Sequence, residues 1–412
     1  MIQLRDYQQE IVDKTVDVLN KDRWVYLAME VRTGKTLTSL SAIDQLDGID
    51  HVLFLTKKKA ISSIAEDCDM LCPSYAFFII NYESIHKAPP VKWDAVILDE
   101  AHGLGAFPKP SKRAKDVAQL IKKHAPYVVL LSGTPTPESY SQMYHQVYAI
   151  PGNPFAGFKN FYDFARTHVH VKQKKMGTHT VNDYSAGLDS IIQAVQDNTI
   201  SYTQKEAGFK VDTKEHILKV RMDHATYVTA NRLQRDRVIE GREGEVVMAD
   251  TAVKLMQKMH QIFSGTVKFE SGKSVVFDFT KAEFIREKFQ GQKIGIFYKF
   301  VAELEALKAV FGDDLVTELD QFNGTSKSIA LQIVSGREGI SLREADALVY
   351  YNIDFSATSY WQSRDRMTTK DRLTSDVYWV FAEDGIEEKI YKAVAGKKDY
   401  TLRHFKRDVL SL

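Results

Sequence analysis

At 412 residues, with 44% hydrophobic and 26% charged side chains, the chain has the makeup of a soluble globular protein of two or three domains and lies far from the composition of disorder. Its 55 basic residues against 54 acidic ones leave a net charge of +1, so bulk charge singles out no polyanion and any such contact must come from local patches. No stretch approaches the ~20 apolar residues of a membrane span, and the first residues lack an apolar run with a cleavage site; both point to a cytoplasmic protein, with reduced core thiols at its only cysteines, Cys68 and Cys72.

In chain order, residues 24–31 read as a buried strand and 36–46 as a helix with apolar positions at helical spacing. Short apolar strands follow at 51–56, 75–81, 95–99 and 127–132, separated by helical or loop segments. Such alternation predicts a parallel α/β sheet with functional residues at the strand ends. From about residue 165 to 260 the pattern turns to helices, including 187–196 and 251–263, with polar connections. The α/β rhythm resumes at 293–298, 328–334, 347–352 and 377–381. The predicted division is therefore a first α/β lobe over 1–165, a helical insertion over 166–265 and a second α/β lobe over 266–412.

Gly34-Lys35-Thr36 falls between the first strand and the first of these helices, where backbone N–H groups and a helix N-terminus cradle phosphates. There Lys35 reaches the β- and γ-phosphates of ATP and Thr36 holds Mg²⁺. Average residue usage gives roughly 0.2 such triplets by chance in a chain of this length, so the triplet alone decides nothing. Asp99-Glu100-Ala101-His102 ends a hydrophobic strand, and by the same arithmetic is expected only ~0.003 times. Asp99 suits Mg²⁺, and Glu100 suits an attacking water. In this order, both at strand ends, the two signals point to a Mg-ATP hydrolase with Lys35, Asp99 and Glu100 as its catalytic residues.

Over nearly its whole length the chain resembles a superfamily-two helicase or translocase of the Swi/Snf-like branch. Leu4-Arg5-Asp6-Tyr7-Gln8 resembles the Q motif, which implies that Arg5 lies at the nucleotide and Gln8 reads the adenine edge. Glu30 to Thr36 is similar to motif I, bringing Arg32, Thr33 and Gly34 to the nucleotide. Asp99 to His102 resembles motif II, and Leu131-Ser132-Gly133-Thr134-Pro135 motif III. Ile296-Phe297-Tyr298 resembles motif IV. Ser335 to Leu342, with Gly339, is similar to motif V, and Gln362-Ser363-Arg364-Asp365-Arg366 to the start of motif VI. The resemblance implies two tandem RecA-like parallel-sheet lobes around the helical insertion, with Gln362 at the nucleotide and Arg366 reaching the γ-phosphate as an arginine finger. Two positions depart from the branch. Arg32 stands where glycine is usual, which argues against a left-handed backbone there. Thr369 stands where a second arginine falls, leaving Arg364 and Arg372 in reserve behind Arg366.

Nucleic acid must be gripped mainly through phosphates, by loops that follow sheet strands: Thr56 with Lys57, Asn81 with Tyr82, and Ser335 with Gly336. Tyr82 is either a base-stacking ring or, as a tyrosine at a strand end more often is, packed core. Lys57-Lys58-Lys59 reads as a phosphate contact or a solvated run. The same choice applies to Lys109, Lys112, Arg113 and Lys115, and to Lys397, Lys398, Arg403, Lys406 and Arg407.

The expected activity is that of a monomeric, DNA-stimulated ATPase moving on single-stranded, duplex or branched DNA, with RNA an open alternative. Replication, recombination or repair in a bacterial or phage-infected cell is the expected setting, by analogy. Two rival readings are a nucleotide-responsive DNA-binding module, motivated by Arg32 and Thr369, and the motor subunit of a restriction or repair nuclease.

Overall fold

The computed structural model describes residues 3–176, 179–208, 212–241, 244–333, 342–356, 360, 363 and 374–396. The chain divides into two compact bodies, residues 1–209 and 210–412.

In the first body, β1 (Trp24–Met29), β2 (His51–Thr56), β3 (Ala76–Asn81), β4 (Ala95–Leu98), β5 (Tyr127–Leu131) and β8 (Thr199–Tyr202) form one sheet in the order β3-β2-β4-β5-β1-β8. Every pairing in it is parallel. A hairpin of β6 (Lys172–Met176) and β7 (His179–Asp183) precedes β8. Successive strand residues face opposite sides, so Val25, Leu27 and Met29 pack with α1 (Asp6–Asp22), α2 (Lys35–Asp44) and α3 (Ile61–Leu71). Trp24 and Tyr26 join the other face, covered by α4 (Lys112–His124), α5 (Met143–Val147) and α6 (Phe161–His168). With both faces covered, the central strands read as continuous apolar runs. α1 buries Ile11, Val12, Thr15 and Leu19, one stripe at helical spacing.

The second body carries a second six-stranded parallel sheet. It comprises β9 (Asp212–Val220), β14 (Ile294–Tyr298), β15 (Leu315–Val316), β16 (Ser328–Gln332), β17 (Ala347–Tyr350) and β18 (Thr374–Ala382), in the order β15-β16-β14-β17-β18-β9. Helices including Ala252–Ile262, Thr280–Lys288 and Val301–Phe311 share one core with it. A fully buried ion pair joins Lys281 to Glu387 at 2.8 Å inside this body. These are the two expected RecA-like parallel-sheet lobes.

The segment 166–265 differs from the helical insertion expected of it. β8 extends the first sheet beside β1, and β9 extends the second beside β18, so the segment is divided between the bodies at residue 209. β10 (Val238–Glu240) and β11 (Val246–Met248) add an antiparallel pair, and β12 (Thr266–Lys268) and β13 (Ser274–Val276) form another just after the segment. Edge strands have a partner on one side only and carry polar residues, as Asp-Thr-Lys-Glu-His in β9 does, so no apolar run marks them. The cysteines also separate: Cys68 is buried, whereas Cys72 is exposed at the end of α3.

Candidate functional site

Glu30 to Gly34 form a tight loop between β1 and α2, closed by the Thr33 hydroxyl donating to the Glu30 carbonyl at 2.8 Å. Arg32 has φ +65° and Gly34 φ +85°. The left-handed backbone that a side chain at 32 argued against is therefore present; such a conformation costs a non-glycine residue roughly 1–2 kcal/mol. Gly34, the N-cap of α2, has no side chain with which to cap the first-turn N–H groups, a helix start that suits an anion. Lys35 opens the helix, with Nζ 3.3 Å from the Glu30 carbonyl.

Side chains distant in sequence fix this loop. The Tyr7 hydroxyl donates to the Thr33 carbonyl at 3.1 Å, and Arg5 Nη1 donates to the same hydroxyl at 3.1 Å. Gln8 is buried, and its Oε1 accepts from the Arg5 backbone N–H at 2.9 Å. A Cβ built on Gly34 falls 2.0 Å from Gln8 Nε2, so the amide of Gln8 lies directly against the loop. From the other side the Gln204 amide donates to the Val31 carbonyl at 2.8 Å, and its backbone N–H to Glu30 Oε2 at 2.7 Å. Tyr202 stacks on Tyr7 with ring centroids 4.8 Å apart.

Asp99 and Glu100 follow β4, two strands from β1 across β5. The Asp99 Oδ2 accepts the Thr56 hydroxyl at 2.7 Å, and the Asp99 carbonyl accepts the Tyr82 hydroxyl at 2.6 Å. Burial, reinforced by the neighbouring Glu100 charge, pushes the Asp99 carboxyl up to about 6; the Thr56 hydrogen bond and the Lys35 charge pull the other way. Glu100 has φ +49° and sits 3.2 Å from the Nδ1 of buried His102. His102 Nδ1 is also 3.0 Å from Ser132 Oγ, which accepts the Thr134 N–H at 3.1 Å. Gly133 lies against the phosphate loop: a Cβ there would be 3.4 Å from the Met29 carbonyl. Below it, the Tyr26 hydroxyl donates to Gln146 Oε1 at 2.7 Å, and Gln146 Nε2 donates to the Pro135 carbonyl at 2.9 Å. Lys35, Asp99, Glu100, His102 and Ser132 thus gather at the C-terminal ends of β1, β4 and β5. A carboxylate and the Thr36 hydroxyl, hard oxygen donors and few, fit Mg²⁺ held mostly through phosphates and water.

The sequence profile of the SNF2-related domain matches residues 50–275, more than half of the 412-residue chain. The chain belongs to the SNF2-related family. It is a Snf2-like member of superfamily two, as the motifs implied. Residues 1–68 also match the Type III restriction enzyme res subunit. The CHD3-type chromatin-remodeling factor CHR7 of Arabidopsis thaliana is 21% identical over 351 residues, covering 77% of this chain and 28% of that protein. The chain thus spans little more than a quarter of that relative. Two solved structures are similar to it across all of this chain: the Sulfolobus solfataricus SWI2/SNF2 ATPase core in complex with dsDNA (14% identity, 93% of that chain, TM-score 0.43) and the core domain alone (15%, 91%, 0.44).

In this SNF2-related chain two nucleic-acid candidates offer no surface to a strand: Thr56, against expectation, and Tyr82, which takes the packed-core alternative weighed for it. Thr56 is fully buried and its hydroxyl is given to Asp99, so it belongs to the carboxylate's support and not to a phosphate track. Tyr82 is 2% exposed, with its hydroxyl on the Asp99 carbonyl and the Arg113 guanidinium 4.9 Å above its ring; it is packed core and offers no face to a base. Thr56, at the end of β2, meets Asp99 just past the neighbouring β4, and Tyr82, just past the edge strand β3, reaches over the end of β2 to the same residue. Asn81 is half-buried and donates to Glu83 Oε2 at 3.0 Å. Arg113 also pairs with Glu83 and holds its carboxyl down at about 2. Lys57 is half-exposed just after β2. Ser335, Gly336, Gly339, Gln362, Arg364, Arg366 and Arg372 lie outside the described residues, as do Lys397 to Arg407. The sequence reading passed over Gln204, Tyr202 and Gln146. Tyr7 stood inside the quoted Q-motif stretch, but its role rests on a contact to Thr33 that no local pattern announces.

Proposed function

We propose that this chain is a DNA-stimulated ATPase that uses Mg-ATP hydrolysis to track along duplex or branched DNA. The observation that carries this reading is the meeting of the Lys35 loop with the Asp99–Glu100 pair at the C-terminal ends of β1 and β4, on either side of β5, in a chain of the SNF2-related family. The N-terminus of α2 and the Lys35 ammonium receive the β- and γ-phosphates. Asp99 and Thr36 would hold Mg²⁺, which would supply charge neutralisation at the phosphates. Glu100, oriented beside His102, draws the proton of the attacking water. His102 and Ser132 link that carboxylate to motif III, so loss of the γ-phosphate is felt at Gly133 to Pro135. By the family resemblance this proposal assigns Arg366 to the γ-phosphate, Gln362 and Gly339 to the nucleotide, and Ser335 and Gly336 to the nucleic-acid strand. Lys57 and Asn81 are the remaining contacts from the first lobe. Kinship with a protein named as a chromatin-remodeling factor supports DNA over RNA. Service in replication, recombination or repair belongs to this proposal.

The test compares phosphate release by the full chain with single-stranded, duplex and forked DNA and with RNA. Duplex or forked DNA is expected to stimulate most. Equal rates with and without every nucleic acid would overturn the reading in favour of a binding module, and Mg-dependent cutting of DNA would favour a nuclease motor.

A further inference from the structure

Along the outer side of α4 runs a trough of about 330 Å³, away from the strand ends that carry the nucleotide site. Its floor exists because Ala114 and Ala118, one helical turn apart, present almost no side chain. Its wall is presented by half-buried Tyr148 and exposed Tyr162, held rigid from behind by the buried rings of Tyr144, 4.7 Å from Tyr148 between centroids, and Phe161, edge-on to Tyr144 at 5.5 Å. Lys115 and Lys122, two turns apart, stand on the α4 flank, and Lys109 and Lys159 complete the rim; all four are exposed. Among the described residues no carboxylate lines the trough. Asp163, in the first turn of α6, is turned to the Lys159 backbone N–H at 3.2 Å and to Arg166 at 3.8 Å. In a chain whose charges balance almost one to one, this is a local surplus of four positive charges around an apolar floor.

We infer that this trough docks an acidic, amphipathic peptide segment of a partner protein, whose apolar side chains fill the floor while its carboxylates meet the four lysines. Rigid aromatic walls with a charged rim are the makeup of a protein-recognition surface. A phosphate backbone would use the lysines but leave the apolar floor without a partner, which is why a peptide is the fitting occupant. The floor supplies affinity and the rim supplies the preference for acid, so both must matter.

The experiment titrates the full chain with fluorescein-labelled 12-residue peptides and follows anisotropy. One peptide alternates Asp/Glu with Leu/Phe, a second keeps the acids but replaces the apolar residues by Ser, and a third replaces the acids by Lys. Lys122→Glu with Lys159→Glu, one change on each side of the trough, and separately Ala118→Trp, which fills it, are the variants; circular dichroism checks their fold. The first peptide is expected to bind at least about fivefold more tightly than either control, and both variants to weaken it at least about fivefold while duplex DNA binding stays unchanged. Equal binding of the acidic peptide and its Ser control, or no response to either variant, would overturn the inference. Parallel loss of duplex DNA binding in the charge-reversed variant would also overturn it, in favour of a nucleic-acid surface. Because DNA-stimulated hydrolysis is measured apart from these titrations, failure here leaves the nucleotide-site reading standing.

Discussion

The Thr56 hydroxyl donates to Asp99 at 2.7 Å, across the neighbouring strands β2 and β4. Burial and then Glu100 push that carboxyl up to about 6, and the Thr56 hydrogen bond offsets part of the rise. A protonated Asp99 cannot hold a metal. Hydrolysis, read as kcat/KM for Mg-ATP, is therefore expected to fall as pH drops through about 6. Thr56→Val removes a hydrogen bond that lowers this value, so its acid limb moves upward. A pH–rate profile of both proteins checks this; an unmoved limb would place the titration elsewhere.

The same carboxyl opposes folding at neutral pH. Burial raises its folded value above that of a solvated aspartate, so its contribution to stability is full below the solvated value and is lost as pH rises through about 6. Asp99→Asn is expected to raise the nucleotide-free melting temperature at pH 7.5 by roughly 2–6 °C while abolishing hydrolysis. Thermal melts beside an ATPase assay read both.

Gly34→Ala places a Cβ in the left-handed region and 2.0 Å from the Gln8 amide. The KM for ATP is expected to rise at least about tenfold, since backbone placement sets the phosphate cradle. Adding Gln8→Ala clears the collision but not the backbone strain, so the double variant recovers little.

Tyr82→Phe keeps a buried ring and removes the donor to the Asp99 carbonyl. A loss of about 1–3 kcal/mol in stability is expected, with duplex DNA affinity within about twofold of wild type. Denaturant unfolding and DNA titration measure the two; a large affinity loss without destabilisation would return Tyr82 to the DNA surface.

What the sequence made legible follows from burial on both faces. β2 has an apolar run of four residues, Val52 to Leu55, and fell at 51–56 as expected, and the Gly34-Lys35-Thr36 and Asp99-Glu100 stretches announced their strand ends. β8 and β9 escaped because edge strands carry polar residues and mimic the connections around them. Gln204 escaped for a different reason: its partner Val31 is 173 residues away, and no local spacing encodes that bond. Thr56 and Tyr82 were legible as residues of the site but not in their direction, since only the packed sheet shows that they face Asp99 and not solvent.

The most direct measurement is phosphate release by the full chain, with and without duplex DNA, for wild type, Lys35→Ala and Glu100→Gln. Duplex DNA is expected to raise the wild-type rate at least about tenfold, and both variants to fall to about a hundredth of it or less, with Glu100→Gln still binding ATP. A wild type that turns over no faster than either variant would contradict the assignment of Lys35 and Glu100 to the hydrolytic centre.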